Sequence, residues 1–311
     1  MSRFLFVVLS LGLAACGSAS PRSGFEDGPS SGGDGGTTGA PGPGNLGSSS
    51  GGPAPVQSAE CTEAAKLVYV VSTDNDLYRF EPDKLTFTKI GPIACDAGGA
   101  APNSMSIDRS GTAWLNYADG SLFEVSTKDA SCTPTSFERG QNGFLRFGMA
   151  FVSTAAGSNE ETLFVSGIKD TLAGQTGQGL ATVDLAAMSL APVGDYDGTL
   201  ARKGAELTGT GDGRLYGFFT TSPYATLAEI DRGTAATSNV VSLEGVNTGV
   251  AWAFSFWGGD FWFYTASSGG PSRVTRLTTA TGGLEEVLAD VGGFRIVGAG
   301  VSTCAPLSSP K

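Results

Sequence analysis

From Leu67 onward the chain alternates short apolar runs, rich in Val, Phe, Tyr, Thr and Leu, with turns built from Gly, Asp, Ser and Pro. Such runs, bounded by turn residues and with weak helical periodicity, predict many short β-strands. Five stretches repeat one grammar. They begin at Leu67, Thr112, Thr162, Arg214 and Asp260, spaced 45, 50, 52 and 46 residues apart. Each holds an aromatic-rich strand, a polar loop, a second strand ending near a charge, a turn and a third strand, as in LVYVVSTDNDLYRFEPDKLTFTKIG. A period in the forties predicts the blades of a β-propeller. A fourth strand precedes four of the units, as SMSID, GMAFV, AELTG and AFSFW. The first unit has none upstream, but a spare strand, IVGAGVSTCAP, starts at Ile296 near the C-terminus. The expected fold is therefore all-β: a propeller of five four-stranded blades, its ring closed by the C-terminal strand joining the first blade. Closure of this kind removes an exposed sheet edge. The third unit is long and irregular, which leaves six blades as the alternative count.

Aligning the five inner strands places Ser106, Ala150, Thr208, Ser255 and Gly300 in one column, all small, as a crowded propeller axis requires. The neighbouring Met105, Met149, Leu207 and Phe254 are expected to pack between blades. Closure also selects a cysteine pairing. Cys304 ends the strand shared with blade one and Cys61 just precedes that blade's next strand, so these two are expected to bond. Cys95 and Cys132 remain and would tie the first two units together. The ring-closing bond would constrain nearly the whole domain in the unfolded state.

The N-terminus adds a location. Arg3 is followed by an apolar stretch, Phe4 to Leu13, too short to span a bilayer, and then by Leu13, Ala14, Ala15 and Cys16. This series resembles the lipobox of bacterial lipoproteins. It implies a signal peptide over residues 1–15, cleavage before Cys16 and fatty acyl chains, such as palmitate, on that cysteine. Gly17, where an Asp would favour retention at the inner membrane, makes the outer membrane the expected destination, with the leaflet left open. Residues 16–59 are mostly Gly, Ser, Pro, Ala and Thr. They are expected to form a flexible tether with a reach on the order of 35 Å. The propeller domain is then 60–307, with a short tail over 308–311. The lipobox, the tether, units such as NDLYRFEPDKLTFTKIG and the closing GAGVSTCAP together resemble secreted bacterial β-propeller lipoproteins of unassigned function. That resemblance implies fold and location and no activity.

Composition narrows the chemistry. The full chain carries a formal charge of −11, and without Arg3 it has 18 cations against 30 acids. Such a surface repels phosphate backbones, so no nucleic-acid partner is expected. The sequence contains no histidine, which excludes Ser-His-Asp and Cys-His nucleophile systems and His-ligated metal sites. No cofactor or metal site is expected. GDYDGT, with Asp195 and Asp197, resembles the start of a calcium loop, with Glu206 at its twelfth position. The intervening LARKGA lacks the matching ligands. The aromatic run WAFSFWGGDFWFY, from Trp252 to Tyr264, reads as core, with a stacking face for sugars as the alternative.

The candidate ligand-binding residues stand where the inner strands start: Asn103, Arg146, Glu206, Trp252 and Arg295. If those starts share one mouth of the ring, two guanidiniums, a carboxyl group and an indole face a common pocket, suited to a small anionic ligand. The leading function is a lipid-anchored envelope protein that displays the propeller as a non-catalytic module binding a small ligand or another envelope protein. The alternative is a propeller-type hydrolase, lactonase or lyase using carboxylates and a divalent metal at the mouth. A purely structural envelope role is the third reading.

Overall fold

The computed structural model describes residues 56–57, 60–172 and 174–310, with the backbone alone at 56–57 and 174. The expected signal peptide, the lipidation site Cys16 and nearly all of the tether lie outside the described residues.

The described chain forms five blades arranged as a ring. Blade one is Ile296–Gly300, Val68–Ser72, Asp76–Glu81 and Thr86–Pro92, from the axis outward. Blade two is Pro102–Ile107, Thr112–Tyr117, Leu122–Ser126 and Cys132–Pro134. Blade three runs Arg146–Ser153, Glu160–Thr171, Gly174–Asp184 and Ser189–Gly194. Blade four is Ala205–Gly209, Leu215–Phe219, Thr226–Ile230 and Thr237–Ser242. Blade five is Ala251–Trp257, Asp260–Ala266, Ser272–Thr278 and Gly283–Leu288. All neighbouring strands within a blade are antiparallel. The C-terminal strand completes the first blade, pairing Ala299 with Val70. The long third unit is a single blade whose central hairpin extends to 12 and 11 residues per strand, so the count is five.

Burial follows from the architecture. Strands near the axis are covered by neighbouring blades on both faces, and Val68–Ser72, Ala205–Gly209 and Leu215–Phe219 are buried at every position. Outer strands face water, and Thr237–Ser242 is almost wholly exposed. Five apolar clusters fill the five gaps between blades. Met105, Met149, Leu207 and Phe254 each sit in a different one. The aromatic run at Trp252–Tyr264 divides by strand alternation. Phe254, Phe256, Phe261 and Phe263 pack towards blade four, while Trp257, Trp262 and Tyr264 pack towards blade one. It is core.

The axis is filled. Ser106, Ala150, Thr208 and Ser255 are buried, as is Gly300. Side chains of this column tie one blade to the next: Phe151 N–H donates to Ser106 Oγ, and Phe256 N–H to Thr208 Oγ1, each at 3.0 Å. The backbones come close enough that a Cβ on Gly148 would lie 2.2 Å from the Ala205 carbonyl oxygen, and one on Gly209 would lie 2.0 Å from that of Phe151.

Two disulfides brace the ring. Cys61 bonds Cys304 across 243 residues of sequence and Cys95 bonds Cys132 across 37. The longer loop restrains more of the unfolded chain, by about 1.5 kcal/mol in the loop-entropy model. Replacing Cys61 and Cys304 together with Ser is therefore expected to lower stability by more than replacing Cys95 and Cys132. Urea denaturation of the two double variants checks this, and equal losses would mean that the ring-closing bond holds no additional chain entropy.

Candidate functional site

Because every inner strand runs the same way along the axis, its first residues share one face of the ring. On that face a cavity of about 180 Å³ opens, lined in part by Asn103, Arg146, Glu206 and Trp252. Four of the five residues singled out in the sequence thus meet. The fifth does not. Arg295 lies outside this lining, and its Nε donates instead to the Gly270 carbonyl at 2.8 Å. The physical reason is local: Ile296 N–H is held by Ser272 Oγ at 2.9 Å, and the residue before it hangs over the blade-five side.

Glu206 lines the cavity. It is 4% exposed, and its Oε2 accepts a 2.6 Å hydrogen bond from Ser104 Oγ. Ser104 belongs to blade two and Glu206 to blade four, so this bond crosses the axis between blades that are not neighbours. Burial pushes the Glu206 carboxyl up to about 8, opposed only in part by the Ser104 bond. At neutral pH the group is protonated. Trp252, partly buried in the wall, holds its indole Nε1–H out of water with no hydrogen-bond partner. An orphaned buried donor costs free energy unless something accepts from it.

The other two residues are tied into the protein. Asn103 Nδ2 donates to Asn116 Oδ1 and to the Phe147 carbonyl, both at 3.0 Å, joining blades two and three. Arg146 Nη2 donates to Asp170 Oδ1 at 2.5 Å; the Arg side chain is 25% exposed and the Asp side chain 70%. So exposed a partner screens the guanidinium weakly. Asp170 comes from the extended hairpin of blade three, which also supplies Ile168 and Gln175 to the lining. Sequence reading missed this overhang and missed Ser104. The one available signal for the overhang was the unusual length of the third repeat.

The opposite end of the axis carries a second buried carboxyl group, also missed. Glu161, 3% exposed, accepts from Arg109 N–H at 2.9 Å through Oε1 and from Thr303 Oγ1 at 2.8 Å through Oε2. Arg109 Nη1 donates to Thr303 Oγ1 at 3.1 Å. Burial raises the Glu161 carboxyl to about 7 against these bonds. The suggested calcium loop does not assemble. Asp197 Oδ1 accepts from the N–H and Oγ1 of Thr237, and Glu206 faces Ser104. Among the described residues no three His, Cys, Asp or Glu side chains gather closely enough to hold a metal ion.

No protein-family model matches the chain, and no curated protein matches it significantly. Solved structures do resemble it. One is a Bacteroides caccae protein of unknown function, at 11% identity and a TM-score of 0.37, covering 72% of this chain and 73% of that one. Another is TolB from Acinetobacter baumannii, at 10% identity and a TM-score of 0.40, covering 71% of this chain and 52% of that one. A third is Kuenenia stuttgartiensis hydrazine synthase, at 11% identity and a TM-score of 0.38, covering 75% and 69%.

The buried carboxyls set a pH dependence. Each has a folded-state pKa above its ordinary value of 4.5. The folded protein therefore holds a proton that the unfolded chain releases, and stability falls as pH rises from about 4.5 to 7 for Glu161 and to 8 for Glu206. Asp119, Asp231 and Asp290 are shifted down by their hydrogen bonds despite some desolvation. Their contribution is present above the ordinary Asp range and is lost in acid. The melting temperature is thus expected to peak near pH 5 and to decline towards pH 8. Glu206→Gln should flatten the upper part of that decline. A wild-type melting temperature that is level or rising from pH 5 to 8 would show that these carboxyls are ionised in the folded state.

Proposed function

We propose that the protein is a lipid-anchored envelope protein whose propeller binds a small ligand at the mouth formed by the inner-strand starts. The observation that carries the binding reading is the pairing of a cavity with unspent hydrogen-bonding capacity. Glu206 Oε1 makes no hydrogen bond with a described residue, and Trp252 Nε1–H has no acceptor. Structural polar groups are ordinarily satisfied by the protein, as at Glu161; groups kept for a ligand are satisfied by the ligand. The cavity's volume of about 180 Å³ suits a small ligand, on the order of a single ring. Anchoring rests on the sequence alone: the Leu13-Ala14-Ala15-Cys16 series, with the Gly/Ser tether giving the propeller room to meet what it binds.

The two halves separate experimentally. Cys16→Ser is expected to move the protein from the membrane fraction to a soluble or uncleaved form. Unchanged membrane association and processing would remove the anchor from the reading and leave the pocket untouched. For the pocket, a thermal-shift screen of small organic acids, amides and polyols is expected to find at least one stabilising compound whose effect disappears in Trp252→Ala. Stabilisation that survives that variant unchanged would place binding elsewhere.

A further inference from the structure

We infer that the mouth pocket takes a small carboxylate, held by a hydrogen bond that the Glu206 carboxyl group itself donates, so that ligand and proton are bound together. This rests on the mouth being the binding site, as proposed above, and names the ligand's chemistry.

The argument starts from donors. Ser104 Oγ occupies Glu206 Oε2 as a donor, which leaves the carboxyl proton to sit on Oε1. Trp252 contributes an unpartnered N–H in the same wall. Arg146 stands at the rim, its ion pair reaching out to an exposed Asp170. Three side chains that carry donors of different kinds, one cationic, line a space the size of a single ring. The complementary ligand brings acceptors, and a carboxylate brings about four lone-pair sites and a negative charge. An O–H···O⁻ bond between a carboxylic acid and a carboxylate is short and charge-assisted, and a low-dielectric site strengthens it. The association makes and breaks no covalent bond, and the proton stays between the two carboxyl groups.

The surroundings keep Glu206 protonated. From blade two it meets Ser104, and Asn103 lines the same cavity; both are neutral. The blade-three backbone passes at Gly148, where a Cβ would lie 2.7 Å from Glu206 Cα; Arg146, Lys169 and Asp170 are charges on that blade's mouth side, and Arg202 and Lys203 lead into the inner strand of blade four. Blade five presents Trp252, and blade one presents Val297. Arg295, a further cation of this face, is turned to the Gly270 carbonyl. Burial and the Ser104 bond are the influences on the Glu206 proton, and no cation draws it off. Below about pH 8 the site is therefore ready to donate. Above it, an anion binds only with uptake of a proton, and affinity falls by up to tenfold per pH unit.

The test is calorimetric titration of the full chain in detergent with acetate, lactate and benzoate, each beside its amide, from pH 6 to 9.5. The expected result is that at least one carboxylate binds more tightly than its amide. Its affinity should be level to about pH 7.5 and about tenfold or more weaker by pH 9.5. At pH 9, repeating the titration in buffers of different ionisation enthalpy should reveal close to one proton taken up per ligand. Glu206→Gln, which keeps a neutral donor, should bind with no pH dependence, and Trp252→Phe should weaken binding with its pH profile retained. If amides or polyols bind in a Trp252-dependent way and carboxylates do not, the carboxylate assignment is wrong while the mouth remains the site. If carboxylates bind with no proton uptake at pH 9, Glu206 is not the donor. If no probe of any class responds to Trp252→Phe, the mouth itself is not the binding site. Proton uptake is read on the wild type, so it decides the question even if the Glu206 variant folds poorly.

Discussion

Everything in this molecule depends on five strands meeting at an axis with no room to spare. The blades are wedges, and a ring of only five brings the inner strands close enough for backbone to touch backbone. Gly148 and Gly209 are the places where even a methyl group would collide with the next strand's carbonyl. Ser106 and Thr208 turn the same closeness into hydrogen bonds to the neighbouring blade. A filled axis rules the inner strands into a common register, and that register is what aligns their first residues at one mouth. It also separates the two ends of the ring, so that each end is chemically on its own.

The two ends resolve the same problem differently. Each holds a buried glutamic acid, an arrangement that costs stability whenever the group must ionise. At the closure end both oxygens of Glu161 are satisfied by Arg109 and Thr303, residues that follow the inner strands of blades two and one. Those bonds join three blades where the ring is sealed, beside Cys304. At the mouth, Glu206 has one oxygen on Ser104 and the other without a partner among the described residues, beside a cavity also lined by Trp252 with its idle indole donor. A buried acid that is fully bonded reads as architecture; one that is half bonded beside a cavity reads as a site. The contrast within one protein is more informative than either perturbed group alone.

What the sequence made legible follows the same division. The blade count, ring closure and interblade core were readable because they depend on periodicity, and strand alternation carries periodicity plainly. Even the aromatic run sorted itself into two faces by odd and even positions. Asn103, Arg146, Glu206 and Trp252 were readable because register alone brings strand starts together. Arg295 shows where register stops being enough. It sits in a similar position, but the strand it precedes comes from the far end of the chain. Its backbone neighbour is pinned by Ser272, so its side chain leaves for blade five. The Ser104–Glu206 bond was invisible for another reason: it joins residues 102 apart across two non-adjacent blades, and no local pattern encodes that. The hairpin that overhangs the mouth was hidden in a stretch, IKDTLAGQTGQ, whose Gly and Thr content resembles a loop while its backbone remains paired from Ile168 to Thr171.

The chain's approach to the ring completes the asymmetry. Val56–Gln57 forms a two-residue strand against Glu160–Glu161, at the start of the second strand of blade three. In an antiparallel blade that start lies at the end of the axis away from the mouth, the same end as Arg109, Thr303 and the Cys61–Cys304 bond. The segment that leads in from the N-terminal side is therefore received on the closure face. There the ring already concentrates its hydrogen bonds and its longest covalent constraint. The mouth face is left to the loops between blades and to the overhanging hairpin, none of which has to hold the ring shut. Closure and binding use opposite ends of one filled axis, so the residues around the mouth can keep unsatisfied donors at no cost to the joints that hold the propeller together.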